Sequence, residues 1–294
     1  MAQLSDIHSG NIHGAGLGLK RELIPQLQTQ WASPALKNLQ FVEIAPENWI
    51  GAGGKFLAEL DWFAERIPMV CHGLCLSLGG ADPLNVNFLR QVKQFLADYQ
   101  IPLYTEHLSY CSDAANGYIY DLLPIPFTEE AVHYVAARIR QTQDILGQRI
   151  AVENASFYVK APISEMDEIT FVNAVLTEAD CDLHLDINNV YVNSVNFGFD
   201  PFHYLDNIPA TRIVYSHIAG HLQVAPDLLV DTHGETVIHP VWDLLDDAYQ
   251  KFGVFPTLLE RDTNIPPLLA CMQEVDQIAA AQQSYVSQRK VASC

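Results

Sequence analysis

At 294 residues, with 49% hydrophobic and 17% charged residues, the chain has the composition of an ordinary globular protein able to bury a sizeable core, and it does not indicate disorder. Eight-stranded α/β barrels run to about 250 residues as one domain, so this length does not require two. The 35 acidic against 16 basic residues leave a formal charge of −19, which repels a phosphate backbone and an anionic membrane surface alike and argues against nucleic acid as a ligand.

In chain order, apolar β-rich runs are expected as strands at 14–19 (GAGLGL), 41–46 (FVEIAP), 69–75 (MVCHGLC), 103–109 (LYTEHLS), 150–155 (IAVENA), 183–188 (LHLDIN), 213–218 (IVYSHI) and 257–261 (TLLER). Amphipathic segments between them predict helices at 56–66, at 85–99, at 128–146 with acids in its first turn, and at 164–179 opening on a Ser164-x-x-Asp167 cap. A further helix begins at Pro240 and ends at Gly253. Strands that alternate with helices imply a parallel sheet, and eight such units close into a (β/α)8 TIM barrel more readily than they form an open sheet. The expected organisation is a single domain over residues 1–280 and a polar, frayed tail over 281–294. Neither G-x-G-x-x-G after the first strand nor G-x-x-x-x-G-K-[ST] occurs, which removes support for nucleotide binding.

The opening MAQLSDIHSGN has no basic segment followed by an apolar one, and no apolar run approaches the length of about 18 residues that a span needs, so the chain reads as cytoplasmic with no membrane partner. Its six cysteines, Cys71, Cys75, Cys111, Cys181, Cys271 and Cys294, are irregularly spaced and are expected as reduced thiols.

Polar residues gather where the apolar strands end, at the face on which a barrel carries its active site. Glu43 and Glu47 flank the second strand, His72 lies in the third, and Glu106 and His107 end the fourth. Glu153 and Asn154 end the fifth, Asp186 with Asn188 and Asn189 the sixth, His217 and His221 the seventh, and Glu260, Arg261 and Asp262 the eighth. A loop after the seventh strand adds Asp231, His233 and Glu235. One strand-end histidine is more often a hydrogen-bonded core residue than a ligand, and one Glu before Arg is more often half of an ion pair. Repetition at six strand ends overturns that reading, because so many carboxylates and imidazoles closing apolar strands are costly to bury unless they hold cations. Imidazoles mixed with carboxylates suit iron, manganese or zinc. Adjacent strand residues cannot both face the barrel axis, although alternation alone does not choose between them. His184 is assigned to packing one layer below Asp186, and Asn154 and Asn189 to orienting neighbouring ligands.

The motifs HGLCLSLGG, TEHLSY, ENAS, DINNVYVN, HIAGH, DTHG and LLERD occur in this order. On them the chain resembles the multinuclear non-haem iron-dependent oxidases, the methanobactin-maturation oxidase and its relatives, over about residues 14 to 276. The resemblance implies a TIM barrel with two or three irons of mixed Fe(II)/Fe(III) state and O2 as co-substrate. It implies modification of cysteine in a ribosomally made Cys-containing precursor peptide, presented by a small peptide-recognition partner protein. The family's ligands fall on His72, His107, Glu153, Asp186, His217, Asp231, His233 and Glu260. Glu153, Asp186 and Arg261 are the catalytic candidates. Glu153 would bridge two irons; Arg261, expected at the rim, would hold a peptide carboxylate or carbonyl, or else pair with Asp262 or Glu43. Long loops at 109–127 and 189–200, with Tyr110, Tyr118, Tyr120, Tyr191 and Phe197, are suited to gripping an extended peptide.

Two other readings use similar ligands. A redox-neutral barrel of the xylose-isomerase type would use divalent metals on a sugar. A non-catalytic metal-binding accessory protein would leave no open coordination position.

Overall fold

The computed structural model describes residues 12–113 and 117–292. Its elements in chain order are β1 (Ala15–Gly18), α1 (Ile24–Gln30), β2 (Leu39–Ile44), α2 (Lys55–Ala64), β3 (Met69–Gly73), α3 (Val86–Asp98) and β4 (Tyr104–His107). Then come β5 (Tyr110–Asp113), β6 (Gly117–Leu123), α4 (Glu129–Leu146), β7 (Ala151–Glu153), α5 (Glu168–Ala179), β8 (Asp182–Asp186), α6 (Ile187–Phe197) and α7 (Pro201–Asp206). The last are β9 (Ile213–Ile218), β10 (Leu222–Ala225), β11 (Leu228–Val230), α8 (His239–Phe252), β12 (Thr257–Leu259) and α9 (Leu268–Ala292). Strands β1, β2, β3, β4, β7, β8, β9 and β12 form a closed barrel in that order, each paired in parallel with its neighbours. This is the (β/α)8 architecture, in one domain, and each predicted strand contributes one stave.

Local chemistry sets the helix ends. Thr128 caps α4 by accepting from the Ala131 N–H, Glu129 and Glu130 occupy its first turn, and Gly147 ends it in the left-handed region. Helix α5 starts four residues later than its Ser164 signal suggests, because Asp167 is the cap, accepting from the Thr170 N–H at 3.0 Å. The Ser164 hydroxyl instead accepts from the Phe127 N–H.

The loops expected at 109–127 and 189–200 carry regular structure. The first contains the antiparallel pair β5–β6, and most of the second is helix α6. The side chain of Tyr120 lies outside the described residues. Residues 281–292, expected to fray, continue α9, and the buried Gln282 amide donates to the carbonyls of Gly14 and Phe255. Residues 293 and 294 lie outside the described residues. Cys71, Cys75, Cys111, Cys181 and Cys271 are free thiols, and Cys294 is outside the described set. Among the described residues, no helix is long and apolar enough to cross a membrane.

Strand alternation divides the barrel into two environments. Val42, Cys71, Val152, Leu185 and Leu259 join the large core beneath the helices. Phe41, Val70, Tyr215 and Leu258 form a separate small apolar layer inside the barrel. A Cβ on Gly16 would lie 2.3 Å from the Phe41 ring, so β1 can pass this layer only as glycine. Each residue of that layer stands two positions before a charged or imidazole residue on, or just past the end of, its strand: Glu43, His72, His217 and Glu260. The apolar layer is therefore the floor on which the polar cluster rests.

Candidate metal centre

Above the floor, side chains from the ends of seven barrel strands converge. His72 of β3, His107 of β4 and Glu153 of β7 meet on one side. His72 Nε2 is 3.0 Å from Glu153 Oε2 and 3.2 Å from His107 Nε2, which is itself 3.3 Å from the same carboxylate oxygen. On the other side, His217 of β9 lies between two acids, with Nδ1 2.8 Å from Glu260 Oε2 and Nε2 2.8 Å from Glu43 Oε2. From the loop beyond β11, His233 brings Nδ1 within 3.4 Å of Glu260 Oε2 and Nε2 within 2.6 Å of Asp231 Oδ1. Asp186 ends β8 with Oδ2 3.9 Å from His217 Nδ1.

Three groups offer ligand atoms that lie within 4.8 Å of one another: His72, Glu153, His184 and His217; Glu43, His217 and Glu260; and Asp186, His233 and Glu260. Among the expected ligands, His107 and Asp231 fall outside these groups but touch their members.

The surrounding protein turns each ligand toward the centre. His107 Nδ1 donates to the Gly73 carbonyl at 3.0 Å, which turns Nε2 toward the cluster. His72 Nδ1 is 2.6 Å from the Thr105 hydroxyl. Asn189 donates to Glu153 Oε1, and the Asn189 N–H donates to Asp186 Oδ1 at 2.6 Å, so in both carboxylates one oxygen is held and the other faces the cluster. Asn154 pairs with both backbone groups of Asp186. Asn188 and Ser156 hold Asp231 at 2.7 and 2.8 Å, and Asp262, itself paired with Lys20, accepts from His233 Nδ1.

Glu153 Oε2, Asp186 Oδ2, His217 Nδ1, His233 Nε2 and both ring nitrogens of His184 are buried with no well-formed hydrogen bond. Orphaned polar atoms are costly, and their concentration at one point fits a group that bonds to them all. In the protein alone, protons and imidazolium charge take that part. Burial opposes ionisation of Glu153, yet the charge on His107 and the close contact with His72 hold its carboxyl below the usual range. Burial also opposes charging His107, but Glu153 and Glu106 push it up to about 9. Burial, with Glu153 and Asp231 nearby, pushes Asp186 well up, and burial beside His217 holds His184 neutral. Cations would displace those protons.

Three positions depart from the sequence expectation. Arg261 follows Glu260 and therefore faces out of the barrel; its guanidinium is buried away from the rim, pairs with Glu274 of α9, not with Asp262 or Glu43, and donates to the Glu235 carbonyl. His184, assigned to packing, contributes ring nitrogens to the first ligand group, and its ring centre is 4.0 Å from that of His217. Glu43 joins the second group; the signal was its place two residues after Phe41, on the inward face. His221 stays outside the three groups, stacked on Tyr191 with Nδ1 2.7 Å from the Asn188 amide oxygen.

Residues 14–283 match the family model described as the RiPP precursor modification enzyme MbnB/TglH/ChrH. A UPF0276 protein of Nitrosospira multiformis is 60% identical over 267 residues, covering 91% of this chain and 92% of its own length. One from Alcanivorax borkumensis is 53% identical over 281 residues, covering 94% and 93%. Solved structures share the fold at low identity. An L-ribulose 3-epimerase has a TM-score of 0.61 at 13% identity, covering 96% of this chain and 99% of its own. The 3-keto-D-glucoside 4-epimerase of E. coli has 0.57 at 12%, covering 91% and 99%. With its barrel, its buried ligand clusters and a match across nearly the whole chain, the protein belongs to the MbnB/TglH/ChrH family of RiPP precursor modification enzymes.

Proposed function

We propose that this chain is a multinuclear iron-dependent oxidase that uses O2 to modify cysteine residues of a ribosomally synthesised precursor peptide delivered by a small partner protein. The observation that carries the proposal is the set of three interlinked ligand groups, joined through His217 and Glu260, in which several buried ligand atoms have no well-formed hydrogen bond. Such linked groups suit more than one ion, and mixed imidazole and carboxylate donors suit iron. His72, His107, Glu153, His184, Asp186, His217, Asp231, His233 and Glu260 would hold the ions, with Glu43 beside them. When bound, two or three irons would supply Lewis acidity and a redox path that carries electrons from the cysteine thiolate to O2, the terminal acceptor. The chain's own part is positional. Gly73 and Thr105 fix the imidazoles of His107 and His72, Asn189 and Asn154 fix Glu153 and Asp186, and the apolar floor closes the cluster from below.

The test is to load the protein anaerobically with ferrous iron, count metal by elemental analysis, and add O2 with a genomically neighbouring Cys-containing peptide, with and without its neighbouring partner. The expected result is two or three ions per chain and a peptide mass change that disappears when the cysteine becomes serine. Less than one ion per chain refutes the multinuclear reading. Unchanged peptide together with turnover of a free sugar favours the xylose-isomerase-type alternative.

A further inference from the structure

Outside the metal centre, but on the same face of the barrel, lies a cavity of about 300 Å³ between the loop after β7, the N-terminus of α5, and α6 and α7. Phe127, Phe157, Phe197, Phe199 and Tyr204 wall it with aromatic rings, and Glu168 lines it, only 8% exposed. The Glu168 carboxyl accepts from the Tyr204 hydroxyl at 3.1 Å and from the Asn193 amide at 3.0 Å, both neutral donors, and among the described residues it forms no salt bridge. Asp167 and Asp200 also line the cavity, as do Lys160 and His203. The last two lie near enough to Asp167 to help hold it ionised, after its hydrogen bond from Thr170.

We propose that this cavity receives the basic side chain, lysine or arginine, of the substrate peptide, seated between the aromatic rings with its charge against Glu168. The proposal rests on the peptide-substrate reading above. Aromatic faces attract an ammonium or guanidinium, and a buried carboxyl supplies the counter-charge. Burial pushes Glu168 up to about 8, so in the empty cavity it is largely protonated near neutral pH, and an entering cation restores its charge. An apolar side chain would bury that carboxyl further and give it nothing in return. The charge of −19 favours approach of a basic peptide.

Helix α6 joins this cavity to the metal centre. Asn189 donates to Glu153, and one turn on Asn193 donates to Glu168 and to the Ala155 carbonyl while accepting from the Phe157 N–H. The segment between Glu153 and the Phe157 wall is thus held from one helix, and a side chain seated in the cavity fixes the peptide relative to the cluster.

Binding to the metal-free protein tests this without any turnover. With isoleucine methyl groups labelled for NMR, the Ile169 signal reports on the cavity it lines. The probes are the N-acetyl methylamides of arginine, lysine and norleucine. Saturable shifts with the two basic probes and none with norleucine are expected. Glu168→Gln, which keeps the shape, should weaken them at least about ten-fold. Phe199→Leu, which keeps an apolar wall without the ring, should weaken them about two- to five-fold. Equal shifts with norleucine, no shift with either basic probe, or unchanged affinity in Phe199→Leu overturns the proposal. Should Glu168→Gln not fold, Phe199→Leu decides alone. Basic probes that bind as expected in a protein that leaves every peptide unmodified would leave the cavity assignment standing and count against the peptide-oxidase reading alone.

Discussion

His184→Leu separates a ligand from a packing residue by the sign of its effect. His184 is fully buried, neutral, and has no hydrogen-bond partner for either ring nitrogen. Leaving a buried polar group unsatisfied costs about 1–3 kcal/mol, while a swap of similar volume costs under about 1.5 kcal/mol. In metal-free protein, leucine should therefore be neutral to stabilising, by about 0–2 kcal/mol, with Tm rising by up to roughly 6 °C. In metal-loaded protein the same change removes one of the four residues of the His72, Glu153, His184 and His217 group. Metal content should fall by about one ion per chain. An ion at a hundred times its Kd contributes about 2.7 kcal/mol, so the loaded variant should melt below loaded wild type. Calorimetry on chelated and reconstituted protein, with elemental analysis of the same samples, measures both. A variant that keeps its full metal content and melts higher in both states shows that His184 only packs.

Other substitutions probe the centre and its surroundings. His107→Ala and Glu260→Ala should each lower metal content and abolish peptide modification while circular dichroism shows an intact barrel; full metal content in both would remove them from the ligand set. Arg261→Met strands Glu274 in the interior and should cost about 3–5 kcal/mol in chemical denaturation, with unchanged metal content in the folded protein; loss of metal at full stability would return Arg261 to the site. Glu168, at about 8 against an ordinary 4.5, binds its proton more tightly when folded. Its contribution is complete below about pH 4.5 and is lost as pH rises through 8, by a few kcal/mol in order of magnitude. The stability difference between Glu168→Gln and wild type should thus shift in favour of the variant over that range, and a difference independent of pH would refute the assignment.

The barrel was legible because parallel strands covered on both faces read as apolar runs, and because polar residues could close those runs only where strands open onto the active face. Strand alternation was equally legible, yet it needed an anchor. Once Phe41 and Leu258 are known to form the floor, Glu43 and Glu260 must face inward and Arg261 outward, but the sequence does not say which parity is the inner one. The depth of His184 depends on barrel stagger and not on spacing along one strand, so the sequence does not show that it reaches the cluster. The residues of α6 do not read as a helix in the sequence because INNVYVNSVN is rich in asparagine, a weak helix former. Its start has no connecting loop at all: Asp186 ends β8 and caps α6 in one residue. The amides of Asn188, Asn189, Asn193 and Asn196 then donate to Asp231, Glu153, Glu168 and the Leu229 carbonyl on other elements, a tertiary use that local propensity does not register.

Alternation along the staves places Cys71 beside His72, Glu106 beside His107 and Arg261 beside Glu260, one residue of each pair serving the shell and the next serving the chemistry. Mutation therefore meets two nearly independent alphabets interleaved in a single text. Substitutions at one parity are judged by melting, and those one residue away by metal and turnover. A lineage can rewrite the inner alphabet while the outer stays readable, which gives a physical route by which barrels of this shape come to host sugar epimerases as well as this family. A deep mutational scan scored separately for abundance and for activity should split along the strands with a period of two.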